Sequence, residues 1–536
     1  MKKLNRLTAP IFQRLAEHAA DKPVSFHVPG HRYGEAWRWY GLQQENETAG
    51  QQGALALFSS LLPFDVTELS STDDLHAPEG VIAESQRLAA DLYGADETML
   101  LVGGSTAGNI AMILTVCEPG DTIIVQRNVH KSIMNGLRLA GAKAVFVRPA
   151  YEASEGTAII PKLHDIQTAL QRHPEAKAIL LSTPNYYGYA ASVLPYAELA
   201  HKHGIPLLVD EAHGAHYGLH EAFPPSALSL GADAVVQSTH KTLPAMTMGA
   251  MLHVRSKLLD RERLREMLTV VQSSSPSYPI MASLDIARAM AESERRRLFE
   301  SGLAAAAGIR NYFRMRKGRL IAGSSADLPS EPSDATGLNE RQTPGVSRMI
   351  VASNEPSVDV KADPLRIVVR DRLGLISGYE LQRMLERQGC WAEMADERRV
   401  LLIIGPYVSE GDTTRLIAAC DAIEKELPNR EQSEQSLITP ASVYGDSEKS
   451  IAVSEPVPFS LHRIDHGSVV SVPIQEAAGC RSAETVIPYP PGIPLVYTGE
   501  TITVGIASEL ERLSALGAKV QGAADTKLSA IRIIRP

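Results

Sequence analysis

Three short segments hold side chains whose types and spacing suit chemistry. The first is GGSTAGN at 103–109, which follows an apolar run and opens a helical pattern. Gly103 and Gly104 let a backbone approach closely, and the free N–H groups of a helix start attract anions. Ser105 and Thr106 add hydroxyl donors, so the segment could cradle a phosphate. It has neither the lysine of a P-loop nor the spacing of a dinucleotide fingerprint. A serine or threonine at a helix start also serves as a plain cap. The second segment is LLVDEAHGAHYG at 207–218. Asp210 closes an apolar strand there, and residues just beyond strand carboxyl ends line the ligand crevice of open α/β sheets. Capping the next segment is the plainer role for one Asp. The third is QSTHKTLPAMTMGAML at 237–252, where Lys241 sits among Ser238, Thr239, His240 and Thr242. A lone lysine is normally a solvated surface charge. The apolar, glycine-containing run after this one suits an amine drawn out of water, whose lowered pKa readies it for Schiff-base chemistry.

Together the three segments suit pyridoxal 5'-phosphate, which needs a lysine, a carboxylate for its pyridine nitrogen and an anion site. Asp210 would keep that nitrogen protonated and make the ring an electron sink. His130, in QRNVHKS at the start of the helix after TIIVQ, is a candidate to lie flat on the ring. His213, His216 and His220 invite a metal reading. Gly214 and Gly218 interrupt any regular helix face, and no carboxylate stands at ligand spacing, so no metal is expected.

The elements that must position these groups follow a βαβα pattern between residues 80 and 260. Strand-like apolar runs occur at 98–102, 122–125, 144–147, 178–181, 206–209, 234–237 and 250–254, with helical segments such as 107–117, 131–140 and 195–203 between them. Short continuous apolar strands separated by helices imply a sheet buried on both faces and mostly parallel. A smaller α/β unit follows, with strands at 366–369 and 400–404, and then a third unit of strands and helices. The Ser-, Pro- and Gly-rich stretches 322–346 and 427–457 read as linkers or long surface loops.

The chain has 536 residues with 53 Lys plus Arg and 62 Asp plus Glu, a formal charge of −9. That mild acidity argues against a general nucleic-acid binder. Apolar residues at 44% and charged residues at 21% exclude a disordered or collagen-like chain. Aromatics are only 5%, so the core must rest on aliphatic side chains. None of Cys117, Cys390, Cys420 and Cys480 pairs at C-x-x-C spacing, so neither a zinc ribbon nor a disulfide framework is indicated. The stretch LTAPIFQRLAEHAA reads as an amphipathic helix with Pro10 near its start, not a signal peptide. No run approaches the ~18 apolar residues of a membrane span. A soluble, cytoplasmic protein is expected.

The sequence resembles the Orn/Lys/Arg decarboxylases of fold type I, in their short form without an N-terminal wing domain. The resemblance rests on FHVPGHRYG (26–34), DVTELSSTDDLHAPEG (65–80), GGSTAGN, QRNVHKS, TPNYYG (183–188), DEAHGAHYG, STHKTLPAMTMGAML, SSSPSYPIMASLD (273–285), AEMADE (392–397) and PYPPGIPLVYTGE (488–500). It implies a mostly parallel seven-stranded sheet flanked by helices, a smaller α/β domain and a C-terminal α+β domain. The expected division is an N-terminal segment 1–60, a cofactor-binding domain 61–305, a small domain 306–428 and a C-terminal decarboxylase domain 429–536. The implied activity is decarboxylation of arginine, lysine or ornithine to the amine, with arginine favoured by family habit, in polyamine biosynthesis. Lys241 is the implied cofactor lysine, Asp210 the pyridine partner and His130 the stacking ring. Ser105, Thr106, Ser238 and His240 are implied to hold the phosphate, with His213 near the reacting carbon. Ser274 is implied to reach a neighbouring subunit's cofactor in a homodimer or higher homo-oligomer, and Glu500 to lie near the distal end of the substrate. Departures fall at Arg32, at Asn185 and at the SST before DDLH, and they bear on substrate choice. An aminotransferase or lyase of the same fold would share Lys241 and Asp210 but would not be expected to carry PYPPGIP. An idle regulator would be expected to carry an extra DNA-binding segment or to lack Lys241 or Asp210.

Overall fold

The computed structural model describes residues 7–42, 49–152, 156–316, 318, 320–323, 359–427, 452–462, 464–488, 494–515 and 517–535. The stretches 324–358 and 428–451, which hold most of both expected linkers, lie outside the described residues, as does 489–493 of PYPPGIP.

The expected central sheet is present. Its strands are β1 (Glu97–Leu101), β2 (Thr122–Gln126), β3 (Lys143–Val147), β4 (Ile179–Ser182), β5 (Leu207–Asp210), β6 (Ala234–Gln237) and β7 (Ala250–Val254), in the order β1-β7-β6-β5-β4-β2-β3. The pairs β2–β3, β2–β4, β4–β5 and β5–β6 are parallel, and β7 runs antiparallel to both neighbours. Helices cover both faces, so every residue of β2, β5, β6 and β7 is buried. That double cover is why these strands read as unbroken apolar runs rather than alternating ones. β7 follows β6 after a connection, residues 238–249, that holds only one helical turn, Thr239–Thr242, with Lys241 in it.

The small domain is a sheet of β8 (Leu320–Gly323), β9 (Arg366–Asp371), β10 (Met394–Ala395) and β11 (Arg399–Ile403), ordered β8-β9-β11-β10. The helix Arg296–Met315 runs across the expected boundary at 305. Its Phe299, Ile309 and Phe313 share a core with Ile367 and Leu402 of the small domain and with Tyr217 and Phe223 of the large one.

One correction concerns strand number. Val457–Pro458 (β12) adds antiparallel to β3, so the sheet has eight strands rather than seven. The eighth is two residues long and contains a proline, which suits a sheet edge and gave no apolar run to detect. It joins the C-terminal unit to the large domain, where Phe146 of β3 stacks on Tyr497 at 4.6 Å. The C-terminal core gathers Ile474, Val486, Leu510, Ile531 and Ile533. The helix expected near Pro10 spans Pro10–Ala20. Among the described residues no helix is long and apolar enough to cross a membrane.

His253 in β7 is a polar residue sealed inside this sheet, bonded to Thr98 Oγ1 at 2.8 Å and Gln237 Oε1 at 3.1 Å. Burial pushes its pKa down to about 3 from an ordinary 6.5. Between those values only the unfolded chain takes up the proton, so stability falls as pH falls, by about 1.4 kcal/mol per pH unit for this group. The substitution His253→Gln should flatten the acid limb of the stability curve by that slope. Denaturant unfolding at pH 6 and pH 5 reads the difference directly.

Candidate active site

The carboxyl ends of β1, β2, β4, β5 and β6 open on one edge of the sheet, and each delivers a site residue there. Asp210 ends β5 and is 4% exposed. It accepts Asn109 Nδ2–H at 2.9 Å and the Ala212 N–H at 3.1 Å. No basic side chain pairs with it among the described residues, so a buried carboxylate stands with a free direction for a cation. Asn109 also donates to Ser132 Oγ at 3.0 Å, and Ser132 Oγ lies 2.9 Å from His130 Nδ1. His130 caps the helix Lys131–Ala140 by accepting the Ser132 N–H. Its Nδ1 is therefore an acceptor, and burial lowers its pKa, so the ring is neutral, with Asp210 opposing and Lys241 reinforcing that shift. Asn109 reaches Asp210 because its helix, Gly104–Val116, lies hard against the sheet. A Cβ at Gly108 would stand 2.5 Å from Val236 Cγ2, so this contact requires glycine.

Lys241 lies in the turn between β6 and β7. Burial lowers its pKa, with Arg366 adding to the effect and Asp210 and Glu393 opposing it. Its Nζ is 3.1 Å from His213 Nε2 and 5.9 Å from the Tyr186 ring centroid. Tyr186 in turn packs on His213 at 4.6 Å. The pKa of His213 falls well below its ordinary value through burial, then through Lys241 and Arg366. At the start of the helix Gly104–Val116 no side chain caps the free N–H groups. Ser238 Oγ donates to Ser105 Oγ at 2.9 Å, joining the end of β6 to this helix start, and Thr106 is next along it. His240 is fixed by its Nδ1, 2.9 Å from the Gly249 carbonyl oxygen.

A buried carboxylate and a partly buried lysine thus lie within electrostatic reach without pairing. Beside them are a flat neutral imidazole and an uncapped helix start edged with hydroxyls. A cofactor with an aldehyde, a protonated ring nitrogen and a phosphate fits that set, each part meeting one unsatisfied group.

Two expected residues lie apart from this cluster. Ser274 is exposed, and its neighbour Ser273 accepts from His76 Nε2 at 2.9 Å. Glu500 is not a free carboxylate. Its Oε1 is 2.6 Å from Arg127 Nη2 and its Oε2 accepts the Tyr497 N–H at 3.0 Å. Its charge is answered inside the protein by Arg127. His216, read without a carboxylate partner, has one in Asp363 at 3.0 Å, brought from far along the chain. Asn185, a departure from the family pattern, accepts the N–H groups of Tyr187 and Tyr189 at 3.0 Å each and so shapes the loop that presents Tyr186.

Sequence reading did not single out Asn109, Ser132, Tyr186, Arg366 or Glu393. Asn109 and Tyr186 lie inside motifs already noted, GGSTAGN and TPNYYG. Glu393, in AEMADE, stands close enough to Lys241 and His240 to oppose in part the lowering that burial imposes on both pKa values. Its carboxylate has no partner among the described residues. Arg366 had only the weak cue of an arginine at the head of an apolar strand.

Fold and site define a fold type I pyridoxal-phosphate enzyme. Residues 9–412 match the family described as Orn/Lys/Arg decarboxylase, major domain, and residues 457–521 match its C-terminal domain. An arginine decarboxylase of Bacillus subtilis (strain 168) is 32% identical over 527 residues, 98% of either chain. A protein named uncharacterized protein YaaO from the same organism is 39% identical over 96% of either chain. The lysine decarboxylase LdcF of Francisella novicida superposes with a TM-score of 0.76 at 20% identity, covering 98% of this chain and 81% of its own. The chain belongs to the Orn/Lys/Arg decarboxylase family. It is an amino-acid decarboxylase acting on a basic amino acid, with pyridoxal 5'-phosphate as its cofactor.

Removing the Asn109 amide should weaken cofactor binding, because Asp210 loses a hydrogen bond that aims it. A hydrogen bond to a charged group contributes ~1.5–3 kcal/mol, so Asn109→Leu should raise the cofactor dissociation constant about tenfold or more. Titration of the visible absorption band of the bound cofactor measures this.

Proposed function

We propose that the substrate is arginine and the product agmatine, a polyamine precursor, and that the residues above divide the work as follows. Lys241 holds the cofactor covalently, Asp210 faces its ring nitrogen and His130 lies on its face. Ser105, Thr106, Ser238 and His240 hold the phosphate. The observation that carries these roles is the buried Asp210 carboxylate and the partly buried Lys241 amine, near each other but not paired.

When bound, the cofactor supplies an electron sink for the pair released as the carboxylate leaves. The protein's own groups do the rest. Asp210 keeps a proton on the ring nitrogen by its negative charge. Burial lowers the Lys241 pKa, so its amine gives up a proton more readily and becomes a better nucleophile. Lys241 and His213, 3.1 Å apart, form one proton-exchanging pair beside the position of the α-carbon. Tyr186, packed over both, keeps water from them. Glu393, with no partner of its own, receives the cationic end of the substrate in place of Glu500, which Arg127 already occupies.

Arginine is favoured over lysine by the relatives. Two proteins named arginine decarboxylase, from Bacillus subtilis and Bacillus anthracis, match at 32% and 30% identity over at least 98% of this chain. The lysine decarboxylase LdcA of Pseudomonas aeruginosa matches at 26%. We further propose a cytoplasmic homodimer in which Ser274, exposed on one subunit, reaches the cofactor phosphate of the other. The exposed Phe26, Trp39 and Phe58 of the N-terminal segment support an apolar contact between subunits.

Amine and CO₂ release from arginine, lysine and ornithine tests the substrate. Agmatine should dominate, and Lys241→Ala should lose both activity and the visible cofactor band. Cadaverine as the main product would reassign the substrate to lysine. Glu393→Gln should raise KM for the basic substrate about 10- to 100-fold, the range of a lost charge-assisted hydrogen bond, with a smaller change in kcat.

A further inference from the structure

Arg366 opens β9 in the small domain and is 2% exposed. Asp363 shapes the turn before it: Arg366 N–H donates to the Asp363 carbonyl oxygen at 3.1 Å, and Leu365 N–H donates to Oδ1 at 2.9 Å. The side chain passes Gly188 of the TPNYYG loop, where a Cβ would stand 2.5 Å from Arg366 Cγ. Gly188 also has φ +89°, so only glycine leaves this passage open. The guanidinium then meets the edge of His213. Its Nη2 is 3.4 Å from His213 Nδ1 and 3.4 Å from the His213 carbonyl oxygen. Asp363 Oδ2 lies 3.6 Å from Arg366 Nε and 3.0 Å from His216 Nε2. On the opposite edge of the His213 ring, Nε2 is 3.1 Å from Lys241 Nζ.

One arrangement of protons satisfies all of these contacts at once. A guanidinium only donates, and it keeps its proton in a protein. It therefore needs a lone pair on Nδ1. A neutral imidazole with that lone pair carries its proton on Nε2. Nε2–H faces Lys241 Nζ, and a hydrogen bond there requires a lone pair on the amine. An ammonium at Nζ would set donor against donor. A doubly protonated ring would set Nδ1–H against the guanidinium.

We infer that Arg366 is a positioning residue: by donating to Nδ1 it holds His213 in the Nε2–H tautomer, and so keeps Lys241 a free amine ready for the cofactor. This rests on Lys241 being the cofactor lysine, as proposed above. The groups facing the pair agree with it in sum. Asp210 and Glu393 favour a charged lysine, while Arg366 and burial oppose it. His130 and His240 face His213 and, with burial, disfavour its protonation. Because Arg366 comes from the small domain, the large domain's lysine is set only when the small domain is seated.

The test uses the full-length protein before cofactor is added. The pH midpoint for modification of Lys241 by an amine-directed reagent, read by mass spectrometry, should rise by about one unit in Arg366→Met, a roughly tenfold loss of free amine at a fixed pH. Arg366→Lys, which keeps a donor and a charge, should restore most of it. A folded Arg366→Met protein with an unchanged midpoint overturns the inference. If that variant does not fold, the ¹⁵N spectrum of histidine in the unsubstituted protein decides, with His213→Gln assigning the signals. An unprotonated His213 Nδ1 is expected, and a protonated Nδ1 overturns the inference. Survival of the visible cofactor band in Lys241→Ala would instead sink the underlying assignment of the lysine, independently of Arg366.

Discussion

The structure depends on keeping a buried carboxylate and a partly buried amine close but unpaired. Were Lys241 protonated, it and Asp210 would gain by collapsing into an ion pair, since attraction between charges is strong away from water. Each is instead held from its own side. Asn109 and the Ala212 N–H fix the carboxylate at the end of β5. The short turn after β6 and the His213 ring fix the amine. The space between them is what a charged, flat cofactor can bridge.

That separation needs support from every layer of the molecule. The sheet brings five strand ends to one edge, and the helix Gly104–Val116 can deliver Asn109 only because Gly108 lets it sit against Val236. The C-terminal unit reaches the same edge. Glu500 grips Arg127, and the Tyr497 hydroxyl donates to the Arg127 carbonyl oxygen at 2.8 Å, steadying the segment that leads to His130. The small domain contributes Arg366 and its carboxylate, Asp363. Burial works to raise the pKa of Asp363, but His216 and Arg366 outweigh it and hold the group ionised. Three units of the chain thus converge on one cluster of polar groups, and each polar contact is buried enough to be costly if left half made.

The sequence made the strand ends legible because parallel strands covered on both faces are written as continuous apolar runs. Asp210, Ser238 and Lys241 could be placed from where those runs stop. The uncapped helix start was legible for the same reason, as glycines and hydroxyls after β1. Contacts between distant segments were not. Asp363 and His216 stand far apart in the chain, and no local pattern relates a turn before β9 to a loop after β5. Glu500 shows a partner that the sequence hides. Its motif drew attention to it, but Arg127, which neutralises it, carries no mark in the sequence beyond following a strand. The two-residue strand Val457–Pro458 left no period to read.

The charge state of the centre also bears on what the site attracts. If Lys241 is a free amine and the histidines beside it are neutral, Arg366 is the cation against His213 among the described residues, facing Asp210, Asp363 and Glu393. The pocket is then negative toward an incoming molecule. Were Lys241 an ammonium, that excess would shrink, and a second cation would stand where the substrate's own amine must arrive. A basic amino acid brings two positive groups, one to be consumed at the centre and one to be held at the rim. The proposed arrangement would separate those tasks: neutral bases at the centre for the reacting amine, and the exposed carboxylate of Glu393 for the other end. Silencing the lysine's charge and attracting a cationic substrate are therefore two consequences of the same proton placement on His213.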